Sequence, residues 1–314
     1  MTSFAEYQNE LSQINAAASS QPEAFVIETE QAYYHDIKEI ATSIVEQKKA
    51  CKLVMLSGPS SSGKTTTANL LQLAFREIGV TSTIISLDDF YRGEYQAPLL
   101  PNGQHDYECV EALDVQDIEN CLLGLLHENH CDMPVFNFEI HMPFPHRRQV
   151  TLNPQDIAIV EGIHALNPIF IDQLPIPGVC KIYISVKQGI QEGSRELFTA
   201  NGMRLVRRIV RDYNFRGTNP QHTLEMWHSV MNGERRFIKP YRAGADYTIN
   251  SLHPYETCVL VNQALPLLKT VATGTGDYEL AKRLIESLNK FIPISADLVP
   301  ENSIIREFIG GGIY

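Results

Sequence analysis

The chain has 314 residues, of which 44% are apolar, so it can bury a full core in two domains or in one large α/β domain. Its 37 acidic residues outnumber its 26 basic residues and give a net charge of −11, which argues against binding to nucleic acids or anionic membranes. The N-terminus lacks a basic region followed by an apolar run, and no stretch approaches the ~20 apolar residues of a membrane span. We therefore expect a cytoplasmic protein whose six cysteines are reduced and mostly buried.

The apolar pattern predicts an α/β fold. Residues 1 to about 24 are rich in small and polar residues and predict a weakly ordered arm, and an amphipathic helix follows from Tyr33 to Val45. Short apolar runs then alternate with amphipathic segments, which is typical of a doubly wound parallel sheet. The predicted strands are Leu53–Leu56, Val80–Leu87, Ile157–Val160, Ile182–Val186 and Tyr247–Ile249.

Two inserts interrupt this alternation. Residues 89–112 are rich in Tyr, Pro, Gly and acids, and residues 133–152 predict an irregular hairpin in which three prolines separate apolar pieces. Further helices are predicted at Glu256–Leu268 and Tyr278–Phe291. The expected organisation is an arm and helix at 1–49, a main domain at 50–270, and a helical C-terminal extension at 271–314.

The strongest motif follows the first predicted strand. Gly58 to Thr65 fit GxxxxGK[ST], and the next segment is a helical pattern that ends at Gly79. Glycines permit a turn whose N–H groups face a polyanion, Lys64 brings an ammonium to the β/γ-phosphates, and Thr65 offers Mg²⁺ a hydroxyl. The sequence therefore predicts a nucleotide-binding P-loop rather than a chance Gly/Ser-rich turn. It consists of Gly58, Pro59, Ser60, Ser61, Ser62, Gly63, Lys64, Thr65 and Thr66.

Carboxylates close the second and third predicted strands, where a parallel sheet faces its ligand crevice. Asp88 is predicted to accept a proton from a substrate hydroxyl, with Asp89 as the alternative and a simple turn cap as a third possibility. Glu161 is predicted to hold Mg²⁺ directly or through water, together with Thr65 and Asp88; the alternative is an ordinary solvated strand end.

Arginines recur at helical spacing from Met203 to Tyr213. Arg204, Arg207, Arg208 and Arg211 lie at i, i+3, i+4 and i+7, and on that face only Asp212 offers a helical partner. Such arginines neutralise charge on a transferring phosphoryl group, so Arg207 and Arg211 are predicted to be catalytic; a solvated amphipathic helix is the alternative. The following turn, residues 214–220, could act as the hinge of a lid.

Together these motifs resemble the uridine kinase/phosphoribulokinase family, especially its uridine kinase-like branch. The resemblance covers about residues 50 to 270 and rests on GPSSSGKTT, SLDDFY, DYECVEALD, PVFNFEIH, VEGIHALN, RLVRRIVRDYNFRG and GERRFIKPYRAGADYTIN, while REFIGGG in the tail is also similar. It implies a P-loop kinase fold with a five-stranded parallel sheet. It further implies transfer of the ATP γ-phosphate, with Mg²⁺, to a sugar hydroxyl, in uridine kinases the 5′-hydroxyl of a pyrimidine nucleoside.

The resemblance also implies roles for single residues. Asp88 matches the catalytic base, and Glu108 matches a carboxylate that holds ribose hydroxyls. Phe136 and His141 match positions that stack on and read the pyrimidine, although His141 could equally be a surface residue. Arg204 and Arg207 match arginines that face the ribose and the phosphates, and Arg216 matches the lid arginine before a glycine. Together with Arg204 and Arg216, Arg208 is predicted to bind the substrate.

Three departures from the family fall on the acceptor side. Glu108 stands where Asp is usual, Phe136 where Tyr is usual, and Gly202-Met203 where an acid-Thr pair is frequent. We expect a small-molecule acceptor, with uridine or cytidine ahead of another pentose or pentose phosphate. A regulator that binds ATP without transferring phosphate is the non-enzymatic alternative. A homo-oligomer is compatible with the sequence.

Overall fold

The computed structural model describes residues 9–47, 50–93, 95–100, 103, 105–137, 140, 142–174 and 176–314. Within them the strands are β1 (Leu53–Ser57), β2 (Ser82–Ser86), β3 (His130–Met133), β4 (Phe136–Asn137), β5 (Met142–Pro143), β6 (Arg148–Thr151), β7 (Ile157–Glu161), β8 (Val179–Ser185), β9 (Ile190–Glu192), β10 (Arg195–Phe198) and β11 (Tyr247–Asn250). The helices are α1 (Leu11–Ser20), α2 (Pro22–Gln47), α3 (Lys64–Glu77), α4 (Val115–His127), α5 (Pro168–Ile171), α6 (Ala200–Phe215), α7 (Pro220–Gly233), α8 (Glu256–Leu268), α9 (Tyr278–Leu288) and α10 (Arg306–Ile309).

The central sheet contains five parallel strands in the order β11-β8-β1-β7-β2. This confirms the α/β fold class, and each predicted strand matches one of the five. From β1 the chain crosses to β2 at one edge, returns to β7 between β1 and β2, and then continues on the other side of β1 with β8 and β11. Ligands of such sheets bind where the strand order reverses, so the crevice lies at the carboxyl end of β1, between β7 and β8.

The sheet has a hydrophobic core on each face. Val54 and Leu56 of β1 pack with the core that includes α2, α3, α6 and α8. Leu53 and Met55 face the opposite core, which includes α4 and α5. Because side chains alternate along a strand, a continuous apolar run fits a strand that is covered on both faces.

The predicted hairpin insert is present as two nested antiparallel pairs. β3 pairs with β6, and β4 pairs with β5 at the tip. A second hairpin, β9–β10, precedes α6 and was not predicted from the sequence. It follows β8 in the chain and leads into α6, the arginine-rich helix.

The prediction of a weakly ordered N-terminal arm is wrong for the part that the structure describes. Leu11, Ile14 and Ala18 recur at helical spacing in an otherwise polar stretch, and they are buried on α1. They belong to the same core as α2 and the C-terminal Phe308. Among the described residues, no helix combines the length and apolar character needed to cross a membrane.

We predict that Ile37→Ala in α2 lowers the free energy of unfolding by about 2–5 kcal/mol, because it leaves a cavity in this shared core. Ile37 is fully buried, whereas Ile27 on the same helix is 41% exposed. Ile27→Ala, the matched control, should change stability by no more than about 0.5 kcal/mol.

The measurement is urea unfolding followed by circular dichroism and by fluorescence of Trp227, the single tryptophan. Both signals should change in one transition in Ile37→Ala. A circular dichroism change that precedes the Trp227 change would contradict a core shared by α2 and the main domain.

Candidate active site

The P-loop joins β1 to α3 and passes very close to β8. A Cβ on Gly58 would lie 2.1 Å from the carbonyl oxygen of Ile184, so only glycine permits this approach. Gly63 has φ of 85°, in the left-handed region, directly before α3 begins. The loop therefore leads into a helix N-terminus, which favours negative charge. The Nζ of Lys64 lies 3.4 Å from the Pro59 carbonyl oxygen, so its side chain arches back over the loop.

Arginines of α6 hold the outer side of the P-loop. Nε of Arg204 donates to the Ser60 carbonyl at 2.9 Å, and Nη1 of Arg207 donates to the Ser61 carbonyl at 3.3 Å. Nη1 of Arg208 donates to the Ser60 hydroxyl at 2.7 Å. The N–H and C=O of a peptide group point in opposite directions, so fixing the carbonyls outward aims the loop's N–H groups inward.

Buried acids pair with these arginines, which corrects the prediction of an arginine face with little compensation. Nη1 of Arg204 lies 2.7 Å from Oε2 of Glu234, just beyond α7. Arg207 pairs with Glu256, the first residue of α8, and also donates to the Ser251 carbonyl at 2.6 Å. These partners are distant in sequence, so helical spacing alone could not show them.

The alternative of a solvated amphipathic helix is also wrong, because α6 is buried on all sides from Met203 to Asp212. Arg207 has no exposed side-chain surface, and its contacts include the P-loop, Ser251, Glu256 and the ring of Phe308. In this arrangement Arg207 supports the P-loop from outside.

Asp212 forms ion pairs with three further arginines of this region. Its carboxylate lies 3.1 Å from Nε of Arg208, 2.7 Å from Nη2 of Arg211 and 3.8 Å from Nε of Arg216. Arg208 and Arg211 are largely buried, whereas the side chain of Arg216 is 56% exposed. Arg216 is thus the member of this group with the most freedom to meet a ligand.

The predicted carboxylates lie together at the ends of β2 and β7. Ser86 and Glu161 are opposite each other in the strand register, and the Ser86 hydroxyl donates to Oε1 of Glu161 at 2.7 Å. The same hydroxyl accepts the N–H of Asp88 at 3.4 Å and caps a 3₁₀ turn. Asp89 instead accepts the N–H of Phe136 at 3.1 Å, so it is tied to the hairpin, while Asp88 is half-buried beside Glu161.

Two carboxyl groups of the site have strongly raised pKa values. Burial raises the pKa of Glu161 to about 7; the charge of Asp88 adds to this, and Lys64 and Ser86 act against it. Burial also raises the pKa of Glu108 to about 7, and the charges of Arg208 and Lys64 oppose the shift. Because Lys64 and Asp88 act on both groups, all four side chains share one electrostatic site.

The acceptor side has an aromatic wall. Phe136 is buried, and its ring centroid lies 5.9 Å from that of Tyr91, which in turn lies 6.4 Å from that of Tyr107. The Tyr91 hydroxyl donates to the Tyr107 carbonyl at 3.1 Å and joins this wall to the segment that carries Glu108. His141 lies outside the described residues.

His164 is a site residue that the sequence analysis did not assign. It is buried, its ring lies 6.3 Å from that of Phe237, and burial lowers its pKa to about 4. Both ring nitrogens of His164 are buried and have no hydrogen-bond partner among the described residues, although the backbone of Glu108 and Cys109 opposes the lowering of the pKa. In the sequence, the position of His164 within the VEGIHALN motif could have identified it as a residue of the site.

The donor set suits Mg²⁺ bound jointly with a phosphate. Among the described residues, no group of three or more His, Cys, Asp or Glu could hold a metal alone. Mg²⁺ usually takes one or two carboxylates and completes its octahedron with phosphate oxygens and water. Thr65, exposed at the start of α3, and the Glu161 carboxylate fit that role.

Comparison with known proteins agrees with this geometry. The model of the phosphoribulokinase / uridine kinase family matches residues 53–257. A uridine kinase of Clostridium botulinum (strain Okra / Type B1) is 28% identical over 201 residues, covering 63% of this chain and 86% of its own. A uridine kinase of Schizosaccharomyces pombe is 30% identical over 191 residues, covering 60% of this chain and 36% of its own.

The fold has counterparts among solved structures. A kinase structure from Silicibacter sp. TM1040 superposes with a TM-score of 0.51 at 20% identity, covering 68% of this chain and 98% of its own. At that identity the likeness concerns the fold. Helices α1, α2, α9 and α10 lie outside the residues matched by the family model.

The raised pKa of Glu161 predicts a pH-dependent stability. Because its pKa is about 7 in the folded protein, against an ordinary value of 4.5, the folded state holds the proton more tightly than the unfolded chain. Stability is therefore lost as the pH rises through the window between those values. We expect Glu161→Gln, which keeps an acceptor for Ser86, to reduce this loss by about 1–3 kcal/mol.

The measurement is urea unfolding of the protein without nucleotide at pH 5, 6, 7 and 8. Glu28→Gln, at an exposed glutamate on α2, is the matched control and should keep the wild-type pH dependence. An unchanged slope in Glu161→Gln would mean that this carboxyl group titrates normally.

Proposed function

The chain belongs to the phosphoribulokinase / uridine kinase family, and we propose that it transfers the γ-phosphate of ATP to the 5′-hydroxyl of uridine or cytidine. One observation carries the proposal: Lys64 of the P-loop and Asp88 at the end of β2 act on the same buried carboxyl group, Glu161. A phosphate-binding ammonium and a potential base therefore share one crevice, as phosphoryl transfer to a hydroxyl requires.

ATP binds through the P-loop in this proposal. The loop N–H groups and the N-terminus of α3 hold the phosphates, Lys64 contacts the β/γ-phosphates, and Arg216 approaches from the lid side with Arg211 as a second positive charge. Thr65 and Glu161 hold Mg²⁺, which when bound offsets the charge of the phosphates. Arg207 keeps the loop in position and does not touch the reacting phosphate.

Asp88 is the base. It takes the proton of the acceptor hydroxyl as the oxygen attacks the γ-phosphorus. The alternative, Asp89, accepts a backbone N–H from Phe136 and is thereby engaged in holding the hairpin. The two neighbouring acids thus have separate tasks, one in chemistry and one in shaping the acceptor pocket.

The acceptor lies between Glu108 and the aromatic wall. Glu108 accepts hydrogen bonds from the ribose hydroxyls, and Phe136 packs against the base, next to Tyr91. Contact of His141 with the base remains a prediction. A pentose phosphate is the weaker alternative because Arg204, a candidate to bind it, is already bonded to Ser60 and Glu234. A cytoplasmic location also remains a prediction.

An acceptor panel tests this function. With ATP and Mg²⁺, we expect kcat/KM for uridine or cytidine to exceed that for ribose or ribulose 5-phosphate by about 10²-fold or more, because only a nucleoside fills both halves of the pocket. Product formation is measured by ADP release and by the mass of the phosphorylated acceptor. A preference for a pentose would mean that the acceptor is a pentose and not a nucleoside. Binding of ATP without turnover of any acceptor would favour the alternative of a non-catalytic regulator.

Asp88→Asn tests the base. It removes the proton acceptor while keeping the size of the side chain, so kcat should fall by about 10²–10⁴-fold. Calorimetry should show ATP affinity within a small factor of wild type. Asp89→Asn, the neighbouring control, should mainly raise KM for the acceptor, because it weakens the hold on Phe136. Full turnover by Asp88→Asn would remove the assignment.

A further inference from the structure

Part of the C-terminal extension contacts the P-loop, although it lies outside the residues matched by the family model. A Cβ on Gly63 would lie 3.2 Å from Cδ1 of Ile304, so the Ile304 side chain packs on the last glycine of the loop. The Ser303 hydroxyl donates to Oε1 of Glu30 in α2 at 2.6 Å and anchors this part of the chain. The segment Ser303–Phe308 therefore belongs to the surroundings of the P-loop.

Phe308 covers the guanidinium group of Arg207. The Phe308 side chain is fully buried, and Cζ of Arg207 lies over its ring, 5.1 Å from the ring centroid. The edges of the same guanidinium are bound by Glu256 and by the Ser251 carbonyl. A cation over an aromatic face is attracted by the ring, and the ring also keeps water away from the cation. The bonds at the edges and the ring at the face together fix the orientation of Arg207.

Arg207 in turn binds a strained residue of the P-loop. Ser61 has φ of 58°, in the left-handed region that serine seldom adopts. The Ser62 N–H donates to the Pro59 carbonyl at 3.2 Å, so Ser61 is the third residue of a four-residue turn, where a positive φ favours glycine. Because serine stands at this position, the turn needs support from outside the loop.

This support acts on the backbone of Ser61. The Ser61 hydroxyl is buried and has no hydrogen-bond partner within the described part of the chain, so the side chain does not hold the turn. The Ser61 carbonyl accepts a hydrogen bond from Nη1 of Arg207 at 3.3 Å. Releasing this carbonyl would let Ser61 relax toward a negative φ and would change the shape of the loop that faces the phosphates.

We infer that Phe308 is a positioning residue that keeps Arg207 on the Ser61 carbonyl and thereby holds the P-loop in its phosphate-binding shape. The inference rests on the proposed binding of ATP by this loop. Removal of the ring would open space beside the guanidinium, so water would compete for Nη1 and the hold on Ser61 would weaken. The loop would then have to be ordered when ATP binds, and this cost would appear as a loss of ATP affinity.

Phe308→Leu tests this role through ATP affinity. The substitution removes the ring face, and we expect the Kd of ATP with Mg²⁺, measured by calorimetry, to rise about 3–10-fold. Phe291→Leu is the matched control, because Phe291 is buried in the same core but packs against Phe198. Both variants should have a lower melting temperature, whereas only Phe308→Leu should lose ATP affinity. Equal losses of ATP affinity in the two variants would mean a merely structural role and would contradict the proposal.

A double-mutant cycle with Ser61→Gly shows whether Phe308 acts on the turn. Glycine adopts a positive φ without strain, so a loop with glycine at this position no longer depends on the contact with Arg207. Phe308→Leu should therefore raise the Kd of ATP less than about twofold when it is added to Ser61→Gly. The same fold-loss in both backgrounds would overturn the proposal. If Phe308→Leu does not fold, Phe308→Met, which also lacks a ring, takes its place in the cycle.

A measurement without nucleotide separates this proposal from the proposed function. In the NMR spectrum of protein with isotope-labelled serine, the amide signal of Ser61 is assigned by its disappearance in Ser61→Gly. In the nucleotide-free protein this signal should shift or broaden in Phe308→Leu and should keep its position in Phe291→Leu. An unchanged Ser61 signal in Phe308→Leu would refute the coupling, whether or not any acceptor is phosphorylated.

Discussion

The site depends on how the carbonyl groups of Ser60 and Ser61 are held. Two buried arginines, Arg204 and Arg207, bind these carbonyls and are neutralised by Glu234 and Glu256. Burying a guanidinium without such a partner would cost several kcal/mol, so loop, helix and acids form one unit. This unit keeps the inner N–H groups of the loop aligned before any phosphate arrives, which is the preorganisation that phosphoryl transfer needs.

The terminal extensions take part in the same unit. Tyr33 of α2 hydrogen-bonds Thr67 of α3 at 2.7 Å, and Thr67 donates to the Gly63 carbonyl at 2.6 Å, which fixes the end of the P-loop. From the other terminus, Phe308 stacks on Arg207. Segments outside the shared family region therefore brace the phosphate-binding element from two sides. They supply this chain with contacts that a minimal P-loop domain would lack.

Local patterns in the sequence predicted the sheet and the approximate place of the site, because strand periodicity and the GxxxxGK[ST] motif are short-range signals. The same patterns placed Asp88 and Glu161 at the ends of two predicted strands. They could not predict that Glu256 pairs with Arg207, 49 residues away, since the pairing depends on the packing of α6 against α8. The sequence analysis did not predict that α1 is an ordered helix, because its apolar signal is limited to three buried residues that lie among alanines and serines.

The pKa values near 7 at Glu108 and Glu161 resolve a conflict within the proposed site. Three carboxyl groups stand around a pocket meant for a triphosphate, and three full negative charges would repel it. Keeping Glu108 and Glu161 partly protonated lowers that charge. A cation held by Glu161 would favour ionisation of that carboxyl group, so binding of the cation and release of the proton would be coupled. Because burial raises their pKa values, Glu108 and Glu161 can stand beside an anionic ligand in their neutral form.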